Sequence, residues 1–326
     1  MKYYIIIDTG TTNTRIRLLN EQEMIIDDWE SNTGVRVTAI EGNNQKLKSV
    51  IKNGIEEIIK RNSISKDQIE RIIASGMITS NVGLIEVPHI KVPAGKEEIK
   101  SCVKELCISD VSEIPISFVP GVKNDVQNVN LDNFEEMDIM RGEESEIMAI
   151  LQRVPRGVEY LIVLPGSHNK FVRVNKNGKI IGCMTTLSGE LLECVSKTTI
   201  IADSVDHKFS ESYDKNMILI GYHTAMKVGL TRAIFSARIL SQFVFSNANK
   251  IANYLLGAIL QSDMEALKGT EAIHMDSDTV IVVAGKDGLR KALVDIFNEE
   301  MTSNTIDEYA YNSNMSAEGV ISIFSN

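Results

Sequence analysis

A buried strand that stops in an acid, turns through glycine and hydroxyl residues and at once becomes a second strand leaves a chain few folds to choose from. Here Tyr3-Tyr4-Ile5-Ile6-Ile7 runs into Asp8-Thr9-Gly10-Thr11-Thr12-Asn13-Thr14-Arg15, and Ile16 to Leu19 is apolar again. Gly10 lets a backbone approach phosphate oxygens closely. Successive turn N–H groups form an anion-binding concavity, with the Thr11 and Thr12 hydroxyls as further donors. Asp8, at the strand end, is placed to hold Mg2+ directly or through its waters. Because the turn joins two strands rather than a strand and a helix, it is not a P-loop, and neither GxxxxGK[ST] nor GxGxxG occurs. A hairpin turn without a ligand is the competing reading of this segment alone.

The same opening recurs in the second half. Val158 to Leu164 reads as a strand, Pro165-Gly166-Ser167-His168-Asn169 as a tight turn and Lys170 to Val174 as the next strand, while Asn177-Gly178 signals a hairpin into Ile180 to Thr186. In each half the hairpin is followed by helix, strand and helix. The first half adds a helix ending near Asn62, a strand over 69–75, a helix over about 97–107 and a short strand from Pro115 to Pro120. The second adds long helices over about 217–240 and 246–267, a strand over 279–284 and helices over 287–298 and 315–324. Residues 122–139 are polar, acidic and without periodicity, the best linker candidate. Two similar α/β domains, 1–125 and 140–326, facing each other across a cleft would produce this pattern, with the last helix free to fold back onto the first domain.

At 326 residues the chain exceeds one ordinary core, which agrees with two domains. A hydrophobic fraction of 43% and a net charge of −10 describe a globular protein without the basic surface that nucleic acid or anionic membrane requires. No segment approaches the ~20 apolar residues that span a bilayer, and Cys102, Cys107, Cys183 and Cys194 are scattered without metal-ligand spacing. Reduced thiols and a cytoplasmic location are the expectation.

Four segments carry groups able to do chemistry. Arg141-Gly142-Glu143-Glu144 precedes apolar residues at helical spacing, which puts both glutamates in a first helical turn, where the macrodipole favours the carboxylate. Such an acid is suited to accept a proton from a hydroxyl attacking phosphorus, although acids also sit there for helix stability alone. Ser167, His168, Asn169 and Lys170 form a dense donor set for phosphate or carboxylate. The loop from Ser75 to Gly95 offers Ser80 and Asn81 for sugar hydroxyls and His89 and Lys91 as local cations. Ser188 reads as a helix cap beside Gly189, and Gly285, between a strand and a helix, lets a backbone pass close to a purine.

On these motifs the chain resembles the 2-dehydro-3-deoxygalactonokinases, bacterial sugar-acid kinases with the actin/hexokinase-type ATPase fold. The likeness runs through DTGTTNTRIRL at 8–18, SGMITSNVGLIEVPHIKVPAG at 75–95, MRGEE at 140–144, LPGSHNKFV at 164–172, TTLSGEL at 185–191 and VAG at 283–285. It implies two ribonuclease-H-like domains around a nucleotide cleft and transfer of the ATP γ-phosphate to 2-dehydro-3-deoxy-D-galactonate. Under it, Asp8, Gly10, Thr11, Thr12 and Arg15 form the first phosphate site with Mg2+, and Gly166, Ser167 and Lys170 the second. Ser80, Asn81, His89, Arg141 and His168 face the sugar acid, and Gly189 and Gly285 the nucleotide. Glu143 is the expected base and Glu144 its alternate. The partners are then ATP and a small sugar acid, with a homodimer open. Another actin-fold kinase with a different acid, or a non-catalytic nucleotide-binding regulator, are the rivals.

Overall fold

The computed structural model describes residues 2–310 and 312–325. Its first half contains β1 (Tyr3–Thr9), β2 (Thr14–Leu19), β3 (Ile25–Ser31), α1 (Arg36–Glu41), α2 (Gln45–Arg61), β4 (Ile69–Gly76), β5 (Ile90–Lys91), α3 (Lys96–Ser101), β6 (Lys104–Leu106), β7 (Ile116–Phe118), β8 (Val122–Lys123) and β9 (Ile139–Met140). The second half contains α4 (Glu143–Leu151), β10 (Tyr160–Leu164), β11 (Asn169–Val174), β12 (Ile180–Thr186), α5 (Ser188–Thr198), α6 (Lys215–Val228), α7 (Leu230–Phe243), α8 (Ala248–Gly269), β13 (Val280–Gly285), α9 (Asp287–Glu300), β14 (Ile306–Ala310) and α10 (Met315–Phe324).

Two sheets share one topology. The first runs β3-β2-β1-β4-β7-β6 and the second β12-β11-β10-β13-β14. In each, an antiparallel hairpin pair leads into strands parallel to the first one. Three antiparallel strands followed by two parallel ones is the ribonuclease-H-like order that the family resemblance implied, and in the first sheet β6 adds an antiparallel edge strand.

The apolar runs that open each half are buried on both faces, as strands with a parallel neighbour and covered sides must be. Period-two alternation then divides their side chains between cores. Ile5 and Ile7 pack with α2 on the outside of the first sheet, whereas Ile6 joins Ile162, Val172, Ile147 and Val320 in a continuous cluster shared by both sheets, α4 and α10. Leu161 and Val163 face the opposite way, into the core made with α6, α8 and α9. The last helix also reaches the first sheet directly: Arg17 Nε donates to Asn314 Oδ1 at 3.4 Å, and the Arg71 guanidinium lies 5.0 Å from the Phe324 ring centre.

Several elements differ from the sequence reading. The helix expected over 97–107 stops at Ser101, because the chain reverses into β6, which pairs antiparallel with β7. The helix expected over 217–240 breaks at Gly229, whose φ of +82° is left-handed backbone that glycine adopts readily. Ser188 does not cap α5; Leu187 holds the cap position, and the Ser188 hydroxyl donates to Asp263 instead. The segment 122–139 is no loose linker. It contributes β8 and β9 to a small sheet with β5, and buried Asn124 ties it to the second sheet, donating to Cys183 O at 2.9 Å and accepting from Cys183 N at 2.8 Å. Strands β3 and β14 carry a weak sequence signal, because Asp27, Asp28, Asp307 and Glu308 dilute their apolar pattern at sheet edges.

Candidate active site

Each sheet ends its first hairpin in a glycine turn, and the surrounding backbone holds both turns closely. In the first, Gly10 N donates to Asn13 O at 2.9 Å, while Val35 N and Arg36 N donate to the carbonyls of Gly10 and Thr11. A Cβ on Gly34 would stand 2.4 Å from Gly10 O, so only glycine lets that strap lie against the turn. In the second, Asn169 Oδ1 accepts from Gly166 N at 3.0 Å and Glu190 N donates to Ser167 O at 2.8 Å. A Cβ on Gly189 would meet Gly166 O at 2.0 Å, which seats the start of α5 directly on the turn. Gly285 has the same function at the end of β13, where a Cβ would come within 2.5 Å of Pro165 Cγ.

The two turns open into one cavity of about 790 Å³. Asp8, Gly10 and Arg15 line it from the first half, Gly166, Ser167, His168 and Lys170 from the second, and Arg141, Glu143 and Glu146 from the start of α4. Leu192, Phe209, Leu256 and Leu289 also line it, together with Gly189 and Gly285. A cavity of this size, lined by both polar and apolar side chains, suits a nucleotide.

Acids crowd the middle. Burial pushes the Asp8 carboxyl upward, with Glu143 adding to the rise, against the pull of Arg15, Arg17 and the Ser316 hydroxyl. Burial, then Glu143 and Asp8, drive Glu146 up to about 8. Glu143 and Glu146 are three residues apart on one helical face, and Gly142 and Gly76 bring that face against Asp8. A Cβ on Gly76 would stand 3.0 Å from Asp8 Oδ1, and one on Gly142 would stand 3.3 Å from Gly76 Cα.

The sequence profile of the 2-keto-3-deoxy-galactonokinase family matches residues 8–323. The chain belongs to that family. A Rhizobium meliloti protein named a probable 2-dehydro-3-deoxygalactonokinase is 26% identical over 205 residues, 62% of this chain and 59% of that relative's length. An Escherichia coli 2-dehydro-3-deoxygalactonokinase is 21% identical over 287 residues, 85% of this chain and 84% of the relative. Among solved structures, one from Sinorhizobium meliloti described as a protein of this kind superposes with a TM-score of 0.77 at 20% identity, covering 98% of this chain and 97% of its own, which shows the same fold.

In this galactonokinase-family chain the structure brings together Asp8, Gly10, Arg15, Arg141, Glu143, Gly166, Ser167, His168, Lys170, Gly189 and Gly285 around one cavity. Thr11 and Thr12 are exposed and lie outside its lining. Glu144 departs furthest from expectation. It is fully buried, accepts from Gly142 N at 2.7 Å, and burial followed by the neighbouring Glu143 raises it to about 8, so it is neither cleft-facing nor ionised at neutral pH. Adjacent helical residues point about 100° apart, so when Glu143 faces the cavity Glu144 faces the core. His89 is no cation either. Burial, then Arg141, Lys123 and Lys170, hold it down to about 4.

His89 instead pairs with Arg141, whose guanidinium lies 3.2 Å from His89 Nδ1 and donates to Val87 O at 2.9 Å and Thr79 Oγ1 at 2.5 Å. This ties α4's entry to the 76–95 loop. Ser80 is buried with its hydroxyl on Met77 O, and Asn81 is exposed outside the cavity lining. Lys91 pairs with Asp125 at 2.6 Å. His168 lies 2.8 Å from Glu190, and Lys170 donates to Ile139 O at 2.9 Å and Thr185 Oγ1 at 2.6 Å. Sequence reasoning missed Glu146, which the i, i+3 spacing from Glu143 could have revealed, and Ser316 of α10, whose approach to Asp8 no local pattern announces.

Among the described residues no group of three or more His, Cys, Asp or Glu side chains converges to cage a metal. Mg2+ ordinarily takes one or two carboxylates and leaves its other positions to water and substrate phosphate. Glu143 pushes both Asp8 and Glu146 toward protonation, and Asp8 adds to the rise at Glu146. A divalent cation beside Asp8 would relieve that repulsion. The residues present fit such an ion.

Proposed function

We propose that this cleft transfers the γ-phosphate of ATP to the terminal hydroxyl of 2-dehydro-3-deoxy-D-galactonate, giving its 6-phosphate in cytoplasmic galactonate catabolism. The observation that carries the reading is the meeting of two glycine turns, from two topologically equivalent sheets, in one cavity with a helix-borne acid between them. On this reading residues 1–125 form the sugar-acid side and 140–326 the adenosine side. The nucleotide's apolar end lies among Leu192, Leu256 and Leu289, with its phosphates between the Gly10 and Gly166 turns. Asp8 would hold Mg2+, which neutralises charge on the phosphoryl group when bound.

The sugar acid enters from the side of Arg141 and the 76–95 loop, where Arg141 offers positive charge to its carboxylate, while Lys170 belongs to the second phosphate turn. Glu143 accepts the hydroxyl proton as that oxygen attacks phosphorus. Little covalent work falls to the protein, which aligns donor and acceptor and keeps water out.

A coupled ADP-release assay across a panel of 2-keto-3-deoxy sugar acids tests the reading. Turnover should be highest with 2-dehydro-3-deoxy-D-galactonate. Preference for another acid would move the substrate assignment, and no ADP release with any acid would end the kinase reading.

A further inference from the structure

Beneath the second glycine turn lies a buried acid that the reaction itself does not use. Asp263 of α8 is 1% exposed and Asn169, at the start of β11, is 0% exposed. Asp263 Oδ2 accepts from Asn169 Nδ2 at 2.7 Å, Oδ1 accepts from the Ser188 hydroxyl, and Asn169 Oδ1 accepts from Gly166 N at 3.0 Å. Asp263 is two turns along α8 from Leu256, which lines the cavity, so one face of this helix both walls the nucleotide slot and supports the turn.

We propose that Asp263 is a positioning residue for nucleotide binding: it fixes the Asn169 amide in the one orientation that holds the Gly166–Ser167 turn open toward phosphate. Both carboxylate oxygens of Asp263 act as acceptors here, Oδ2 from Asn169 Nδ2 and Oδ1 from the Ser188 hydroxyl. The carboxylate therefore selects the amide nitrogen of Asn169 and turns the amide oxygen toward Gly166 N. Through Ser188 the same carboxylate anchors the first residue of α5, whose Gly189 packs against Gly166 O. The turn, the helix that seats on it and the wall of the slot thus share one buried anchor. Burial pulls the Asp263 carboxyl upward, and interactions with Ser188, Asn169 and Thr186 pull it back. Among the groups that act on it, no charged side chain answers it.

The inference rests on reading the cleft as the ATP site, and a swap of the two side chains tests it separately. Asn169→Asp sets two carboxylates face to face. It should lower kcat/KM for ATP by about tenfold or more, the scale of a lost charged hydrogen bond, while KM for the sugar acid moves less than about twofold. Adding Asp263→Asn restores the pairing between the two side chains and with Gly166 N and Ser188. The amide now on α8 donates to the carboxylate now on β11, that carboxylate accepts from Gly166 N, and the α8 amide oxygen accepts from Ser188. The double variant should recover ATP binding, measured by calorimetry, and kcat/KM for ATP to within about threefold of the parent, since the network is complete again.

Equal losses for both substrates, a single variant indistinguishable from the parent, or a double variant that fails to recover would each overturn the inference. Should Asn169→Asp alone not fold, the double variant still decides. A parent chain that binds no ATP would instead overturn the reading of the cleft.

Discussion

At the scale of single residues, the adjacent acids Glu143 and Glu144 differ by position rather than by chemistry. Glu143→Gln should lower kcat by ~10²–10⁴-fold, the usual contribution of a general base, while ATP still binds. Glu144→Gln should leave kcat within about threefold, because its side chain faces the core. A dead Glu144→Gln beside a healthy Glu143→Gln would reverse the assignment. Glu144 also has a signature in stability. Its native pKa of about 8 lies above its unfolded value, so the native state holds a proton that the unfolded state has released. Its contribution is full below the unfolded pKa and is lost as pH rises toward 8. Glu144→Gln, neutral throughout, should therefore unfold near the parent's temperature at pH 5 and above it at pH 8. A gap that does not widen with pH would refute the buried, protonated state.

Among elements, α4 is the part on which most depends. It carries Glu143 and Glu146 and crosses α10 so closely that a Cβ on Gly319 would lie 1.7 Å from Ser145 O. Gly319→Ala should cost on the order of 2–3 kcal/mol, as overpacked sites do, and lower kcat too, since the acids ride on the displaced helix. Thermal unfolding with kinetics checks both; an unchanged melting temperature would show that the crossing tolerates the extra methyl and does not set the position of the acids. The hairpins at Asp8 and Pro165 and helices α2 and α10 were legible in the sequence because apolar runs and glycine turns are local signals. The Gly229 break was not, since isolated glycines also sit inside continuous helices. Nor was Asp263 legible as part of the turn: it meets Asn169 across 94 positions of chain, and proximity of that kind has no local signature. Edge strands such as β14, with two acids among its five residues, read as loop until a neighbour supplies their hydrogen bonds.

For the whole molecule, ligand and fold are coupled through the cleft. ATP with Mg2+ should raise the melting temperature in a concentration-dependent way, corresponding to about 2.7 kcal/mol at one hundred times Kd. EDTA should abolish turnover, because the acids around Asp8 would lose the cation that balances them. Added sugar acid should lower the radius of gyration from solution scattering as the halves close on the ternary complex. Scattering curves identical with and without both ligands would argue for a cleft already closed.

The apolar cluster that Ile6 shares with Ile162, α4 and α10 bears on dissection of the chain. A cut within 122–139 looks like the natural place to express the halves separately, yet it would leave each fragment with a raw hydrophobic face. The C-terminal fragment would carry both α4 and α10 without the first sheet they cover. Such fragments should precipitate alone and become soluble when coexpressed, so this chain is better suited to split-protein complementation than to study one half at a time.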